Sequence, residues 1–465
     1  MKPSIPQGTR DFSPSEVRKR QYILQTIRTI FERYGYQPLE TPSMENLTTL
    51  MGKYGEEGDR LIFKILNNGL HEKKEADKKN LNEEWQKLLE KPYSTPVVTE
   101  RALRYDLTIP FARYVVMHQH ELAFPFRRYQ MQPVWRADRP QKGRYREFWQ
   151  CDCDVVGSTS LINEAELLCI YQSAFHQLAV PQVTIKINSR KLLAGMAAIA
   201  GHESQMMDIT IAIDKLDKIG WEGVTKELQN RGIDVEGITK IQNIISLSGT
   251  NDGILEQLVQ LMQEHQCTIG LQGVEELKQT LQYYETLKSS DWSGTIAVDA
   301  SLARGLNYYT GIIVEVTTAA VKMGSIGGGG RYDDLTGLFG LNGLSGVGIS
   351  FGVDRIYDVI EELGLFPEAL ESGCKAMVVN FGGENETYAL QVVQQLRNAG
   401  IATELYPDAV KFDKQMKYAH KRNIPFVLLL GDEERTQQLI SIKNFRTGIQ
   451  QKLPLTEVIQ HLSNE

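Results

Sequence analysis

The sequence predicts a mixed α/β protein: an antiparallel-sheet core, interrupted by a helical insertion and followed by a small α/β domain. Three observations carry that expectation. Two long extended runs, FPFRRYQMQPVWR and EFWQCDCDVVG, flank the polar loop ADRPQKGRYR, whose Pro and Gly mark a long hairpin turn. From about Lys191 to Ser290 the pattern turns helical, in LLAGMAAIAG, TIAIDKLDKIGW, ILEQLVQLM and VEELKQTLQYYETL. After Gly373, short apolar runs alternate with helices of crossover length. The expected boundaries are a core in two parts, 1–190 and 291–368, an insertion over 191–290, a linker near 365–373 and a final domain over 374–465.

Along the chain, Ser13-Pro14-Ser15-Glu16 reads as a capping box with Pro at the first helical position. Val17, Ile23, Leu24, Ile27, Ile30, Phe31 and Tyr34 continue it as an apolar stripe that stops at Gly35. Tyr36 to Pro42 is an extended run closed by proline, suited to an edge or interface strand. Glu72 to Lys91 is dense in mixed charge and reads as a solvated helical insertion. The run YYTGIIVEVTT predicts a strand, a glycine tract follows, and GVGISFGVDRIYDVIEEL reads as a strand entering a helix. In the last domain AMVVNF, IATELY, FVLLL and QLISI are the expected strands, with helices over 384–398, through Tyr418 and at the end.

Composition excludes several classes. A length of 465 residues makes about three domains the expectation, and 42% hydrophobic with 23% charged residues excludes wholesale disorder. No apolar run approaches the roughly 20 residues that span a bilayer, and MKPSIPQGTRDFSPSE lacks signal or transit character, so the cytoplasm is the expected location and no membrane partner is expected. Five cysteines, few and odd in number, fit reduced thiols. The net charge of −7 is no nucleic-acid coat, so a polyanion must be met by a local basic surface. Arg127, Arg128, Arg136, Arg139, Lys142, Arg144 and Arg146 supply one, opposed within that stretch by Asp138.

Candidate chemistry sits on the extended runs. In EFWQCDCDVVG, period two puts Gln150, Asp152 and Asp154 on one face and Cys151, Cys153 and Val155 on the other. Zinc binding by the two cysteines lacks a second Cys/His pair, so they read as buried thiols. By the same parity Asp106 and Thr108 in YDLTIP share a face and can jointly bind an ammonium group; Asp106 as a turn cap is the equal alternative. The tract Gly327–Gly330 before Arg331-Tyr332-Asp333 is neither a P-loop nor a dinucleotide fingerprint, and reads as a tight turn or a crowded strand crossing unless its neighbours give it a ligand. Arg136, Arg304 and Arg355 are each ordinarily surface or ion-pair residues; taken together with polar strand faces they describe a site for an anionic ligand. The histidines show no metal spacing, so no side chain is assigned to a metal.

Over nearly its whole length the chain resembles the class II histidyl-tRNA synthetases. GTRDF resembles the family's opening, and the helix from Ser13 with the strand ending at Pro42 its dimer-forming first motif. VWRADRPQKGRYREFWQCDCDVVG resembles the second motif and its loop, LARGLNYYTG and GGGGRYD the two histidine-specific signatures, and GVGISFGVDRI the third motif. The forms DLT and REFWQCDCD are more similar to the eukaryotic-type branch, with Asp106 and Asp154 where the common bacterial form has Glu. The second motif's acid is Asp138 where Glu is usual.

The resemblance implies a class II catalytic domain with a helical insertion and a C-terminal anticodon-binding domain. It implies that Asp106, Thr108 and Gln150 hold the α-ammonium of L-histidine, that Asp154 and Tyr309 bond the imidazole, and that Tyr308 and Tyr332 line that pocket. Arg304 becomes the cation near the reacting carboxylate and α-phosphate and Arg136 the α-phosphate clamp, while Arg144 and Arg355 hold the remaining phosphates and the adenine side of ATP. The implied partners are L-histidine, ATP carrying Mg2+, tRNA(His) and a second copy of the chain in a homodimer. The basic hairpin and the helical insertion would meet the acceptor arm. The rival from another class is a silent relative, the histidyl-synthetase-like regulatory subunit of ATP phosphoribosyltransferase. Such relatives generally lose the LARG-type arginine and the C-terminal domain, and both Arg304 and the stretch after Gly373 are present.

Overall fold

The computed structural model describes residues 2–90, 94–303 and 308–464. The chain divides into two compact units, Met1–Arg10 with Tyr22–Leu365, and Asp11–Gln21 with Phe366–Glu465. In chain order the strands of the first unit are β1 (Gln37–Pro38), β2 (Met44–Asn46), β3 (Lys64–Ile65), β4 (Arg101–Leu103), β5 (Phe126–Trp135), β6 (Glu147–Val156), β7 (Val183–Ser189), β8 (Thr295–Val298), β9 (Ile312–Thr318), β10 (Gly327–Tyr332) and β11 (Gly346–Gly352). A small sheet runs β2-β4-β3, and the main sheet runs β1-β5-β6-β11-β10-β9-β7-β8. Every pairing inside the main sheet is antiparallel except the outermost, β1 with β5 and β7 with β8. Proline ends β1 at the sheet's edge, where its missing N–H costs no ladder bond.

The predicted hairpin is β5–β6, paired from Phe126 with Val156 to Trp135 with Glu147. The helix Pro14–Arg33 starts on the expected capping box: Ser13 N–H donates to Glu16 Oε2 at 2.6 Å and Glu16 N–H to Ser13 Oγ at 3.4 Å. Its Ile23, Ile27, Ile30 and Phe31 are buried, with Phe31 edge-on to Phe351 of β11, whereas Val17 of the expected stripe is exposed. The glycine tract is itself β10, in the middle of the sheet, and crowding is the reason. A Cβ on Gly329 would stand 2.2 Å from Gly348 O, and one on Gly330 2.7 Å from Ile312 O. On the face toward the helix Ile162–Gln177, Tyr171 Oη donates to Gly328 O and Ser350 O at 3.0 and 2.9 Å.

The charged segment forms the helix Glu75–Glu90 with Trp85 and Leu89 exposed. Between β7 and β8 the chain is helical, from Arg190–Ile199 to Thr268–Leu287, and these helices belong to the first unit. Asp234 and Thr250 cap two of them through the amides of Gly237 and Gly253. The first and last cross so closely that a Cβ on Gly195 would lie 2.6 Å from Gly270 Cα, and one on Gly273 2.6 Å from Leu192 N. Among the described residues no helix is long and apolar enough to cross a membrane.

In the second unit β12 (Ala376–Val378), β13 (Thr403–Leu405), β14 (Phe426–Leu429), β15 (Leu439–Asn444) and β16 (Gln450–Pro454) form a sheet ordered β13-β12-β14-β15-β16. The first three are parallel, joined by the helices Glu384–Asn398 and Phe412–Lys421, and β15 and β16 close it antiparallel. The sequence predicts β12 to β15 but not β16, whose Gln450, Gln451 and Lys452 are exposed and carry no apolar signal.

Candidate active site

The free face of the main sheet floors a cavity of about 380 Å³, within the usual range for small-molecule sites. Strand register makes its floor a lattice. Arg128, Gln130 and Gln132 of β5 stand opposite Asp154, Asp152 and Gln150 of β6, which stand opposite Gly348, Ser350 and Gly352 of β11. Gly328 and Gly330 of β10 then face Glu315 and Ile313 of β9. Polar side chains therefore fill one side of the floor and bare backbone the other. Gly348 is required where the two meet, because a Cβ there would fall 1.9 Å from Asp154 Oδ1.

The inner end is acidic and aromatic. Tyr54 Oη donates to Asp106 Oδ1 at 2.9 Å and Tyr332 Oη to Asp154 Oδ1 at 2.6 Å. Arg128, fully buried, lies with Nη2 2.9 Å from Asp154 Oδ2 and with its guanidinium over the Phe111 ring. Asp106, Asp152 and Asp154 are only 2%, 3% and 3% exposed. Burial raises the pKa of all three, against the opposing pull of Tyr54 and Arg136 on Asp106 and of Arg128 on the others; Asp152 is pushed up to about 7. Burial likewise raises Tyr308, Tyr309 and Tyr332, which stay neutral hydroxyls. An acidic pocket short of cations favours a cationic ligand with hydrogen-bonding nitrogen.

The other end is cationic. Arg136 follows β5 and stacks over Tyr105 and Phe148 at 4.3 and 5.2 Å, anchored by Nε donating to Tyr105 O. Arg355 heads the helix Val353–Glu362 and donates from Nε to Gly143 O and from Nη1 to Ser325 O. Arg144, half exposed, has Nε 3.3 Å from Asp138 Oδ2. The hairpin loop is held by the opening segment: Arg146 N–H donates to Gly8 O, and Arg10 stacks on Tyr145 while paired with Asp354. That packing is a physical reason for GTRDF, since a Cβ on Gly8 would strike Arg146. Asp154 and Gln150 lie four residues apart on β6, about 13 Å along a strand, so the acidic and cationic ends are separate regions of one cleft.

Of the residues expected from the sequence, Asp106, Thr108, Arg136, Arg144, Gln150, Asp154, Tyr308, Tyr309, Tyr332 and Arg355 all line this cleft. Arg304 lies outside the described residues. Strand parity is the wrong reason for Asp106 and Thr108, because β4 ends at Leu103 and Thr108 opens the helix Thr108–His118. The turn into the helix presents both, and Asp106 lines the cleft while also holding the turn, accepting from Ile109 N–H at 3.2 Å. The basic surface is also corrected: Arg128 points into the cleft floor, fully buried, and Arg127 is paired with Glu166. Asp152, Arg128 and Tyr54 were missed as site residues. The parity that selected Gln150 and Asp154 already selected Asp152, whereas nothing in the sequence marks Tyr54.

A family profile described as Histidyl-tRNA synthetase matches residues 8–73 and 94–356, and one described as Anticodon binding domain matches 375–465. The stretch between the two parts of the first match carries the helix Glu75–Glu90. Curated proteins named histidine–tRNA ligase from Christiangramia forsetii and Flavobacterium johnsoniae are 55% and 54% identical; the matches cover 97% of this chain in both cases and 97% and 96% of theirs. The crystal structure of histidyl-tRNA synthetase from Nostoc sp. PCC 7120 superposes with a TM-score of 0.83 at 32% identity, covering 100% of this chain and 99% of that one. A Bacillus halodurans structure titled as an ATP phosphoribosyltransferase regulatory subunit/histidyl-tRNA synthetase shares the fold alone, at 19% identity and a TM-score of 0.68 over 89% of this chain and 96% of that one. These relatives are bacterial, and the eukaryotic-type qualifier read from DLT and REFWQCDCD finds no support in them. With its family match spanning both parts of the main-sheet unit and its identity to curated ligases holding over almost the full length, the chain belongs to the histidyl-tRNA synthetases, enzymes that charge tRNA with histidine.

Proposed function

We propose that this cleft performs the histidine-activating half of ATP-dependent tRNA(His) charging, with histidine at the acidic end and ATP at the cationic end. The observation that carries the reading is the joining of a buried carboxylate-and-tyrosine pocket to an arginine-lined mouth in one cavity. Asp106, Thr108 and Gln150 hold the α-ammonium; Asp154 and Tyr309 bond the imidazole, with Tyr308 and Tyr332 walling the pocket. The histidine carboxylate attacks the α-phosphorus, and two anions meet only when fixed cations offset their charge and that of the transition state. Arg136 clamps the α-phosphate; Arg304, on the motif resemblance alone, stands by the reacting carboxylate; Arg144 and Arg355 hold the other phosphates and the adenine side.

ATP arrives with Mg2+ on its phosphates, as substrate, and the ion offsets charge on the departing pyrophosphate. No protein base is needed for this step, since the nucleophile is already an anion. The ribose hydroxyl of tRNA(His) then attacks the histidyl-adenylate and releases AMP. The C-terminal unit reads the anticodon, and the chain works as a homodimer in the cytoplasm. The eukaryotic-type branch reading stands on DLT and REFWQCDCD alone. The regulatory-subunit alternative is less favoured, because the ligase relatives match the chain past both parts of the core and through the C-terminal domain.

Labelled pyrophosphate exchange into ATP, run with each amino acid in turn, tests the reading. Exchange with histidine alone supports it; silence with all twenty would return the chain to the regulatory class.

A further inference from the structure

Asp152 is a buried carboxyl of the cleft floor that these roles leave unused. It stands between Gln150 and Asp154 on β6, opposite Gln130 of β5 and Ser350 of β11, and its Oδ1 has no hydrogen-bond partner among the described residues. The charged and titratable groups facing it are Arg128 from β5, Arg104 from just after β4, Asp154 and Cys153 from its own strand, Asp106 from the turn before the helix Thr108–His118, Tyr309 from the segment before β9, and Tyr171 from beneath the sheet. Of the three carboxyls only Asp154 has an ion pair, with the fully buried Arg128; Arg136 and Arg104 act on Asp106 and Asp152 without an ion pair to either, which leaves two carboxyls without a counter-charge in contact. Buried charge without a partner is costly, and the upward displacement of all three carboxyls registers that cost.

Histidine carries two cationic groups when its ring is protonated, the ammonium and the imidazolium, while its carboxylate is directed toward ATP. We infer that the pocket takes histidine in the ring-protonated form, with Asp152 and Asp154 together facing the imidazolium. No heavy-atom bond changes on binding: the ring nitrogen gains a proton from solvent, or from the Asp152 carboxyl where that group enters protonated. The charge match then adds a criterion that hydrogen bonding alone lacks, since a neutral ring of the same shape leaves one carboxylate unpaired. The inference rests on the placing of histidine proposed above.

The test compares the full-length chain with Asp152→Asn in pyrophosphate exchange, using L-histidine and 1,2,4-triazolylalanine, whose ring is nearly isosteric but neutral near pH 7. The parent should prefer histidine in kcat/KM by about 30-fold, the scale of one hydrogen-bonded charge. Asp152→Asn should reduce that preference to a few-fold, mainly through KM for the amino acid, with KM for ATP within about two-fold. It should also move the pH at which the histidine KM rises. Asp152→Glu, which keeps the charge, should restore the discrimination, a readout that mere structural damage would not give. The inference is overturned when the parent treats both rings alike, or when Asp152→Asn keeps the parent's ratio and pH profile. Failure of the parent to exchange with histidine at all would instead sink the functional reading.

Discussion

The two sheets of this protein bury polar groups in opposite ways. In the C-terminal unit, Gln415 is fully buried and satisfied: its Oε1 accepts from Asn380 N–H, and its Nε2 donates to Asn380 O and Val410 O. Around it the core is apolar on both faces of the sheet, mainly Val, Ile, Leu and Ala, with Met377, Cys374 and Tyr406 on one face and Phe426 on the other. In the main sheet, Asp152 Oδ1, Gln150 Oε1, Gln130 Oε1 and two guanidinium nitrogens of Arg128 have no partner among the described residues. A fold gains nothing from leaving such groups unmet, so their concentration in one cleft marks where a ligand completes the structure. The C-terminal sheet leaves one such atom, Glu404 Oε1 on its edge strand β13, whereas several meet on the floor of the main sheet, which is finished by what binds there.

The largest test of that contrast is Arg128→Met. Removing the cation should leave Asp154 and Asp152 as unpaired buried charges and cost roughly 3–5 kcal/mol of stability in the first unit. Calorimetry should show that transition fall while the second unit's stays in place. A loss below about 1 kcal/mol would mean that the carboxyls simply take up protons and that Arg128 serves binding more than folding. Next in size, Arg136→Ala and Arg304→Ala should each cut pyrophosphate exchange by about 100- to 1000-fold, the usual effect of deleting one preorganised charge stabiliser. Activity within a few-fold of the parent would remove that residue from the reacting centre.

The contrast also explains what could be read from the sequence. Period two along EFWQCDCDVVG placed Gln150, Asp152 and Asp154 correctly, because a strand's alternation is local. Arg128 was read as surface because its partner Asp154 lies on the next strand, and only the β5–β6 register brings the two together. Tyr54 was invisible for the same reason, since its bond to Asp106 spans 52 positions through a turn. The glycine tract was legible as crowding but not as a strand, because glycine carries no side-chain period. The strand β16 lacked an apolar signal altogether. Motif similarity pointed to residues that line one cleft where local chemistry left them ambiguous, and it could not supply the partners packed against them.

A smaller effect separates the sheets from the other side. Gln415→Ala should cost about 1–3 kcal/mol in the second unit, because it strands the Asn380 amide and two carbonyls. Histidine-dependent exchange should remain at the parent's rate, since no atom of the cleft is touched. A fall in exchange would show that the two units are coupled in the first step.

The most direct reading of an unfinished floor is a pH slope, gradual at any one pH. Asp152 is held up at about 7 in the folded protein, chiefly by burial, against about 3.9 in an unfolded chain. Between those values the folded state binds the extra proton, so the unliganded first unit is more stable toward pH 4 and loses that advantage as pH rises through 7. The slope from one such group is at most about 1.4 kcal/mol per pH unit. Asp106 and Asp154, raised by burial too, add slope of the same sign, and Asp152→Asn should remove only its own share. Melting temperatures of the two proteins should therefore converge toward acid and separate toward neutral pH, with the variant the more stable there. Saturating histidine should reverse the order, because the ligand brings the charge that makes an ionised Asp152 an asset. If the two proteins melt in parallel across that range, Asp152 does not titrate in the folded chain, and the cleft floor is balanced without its ligand.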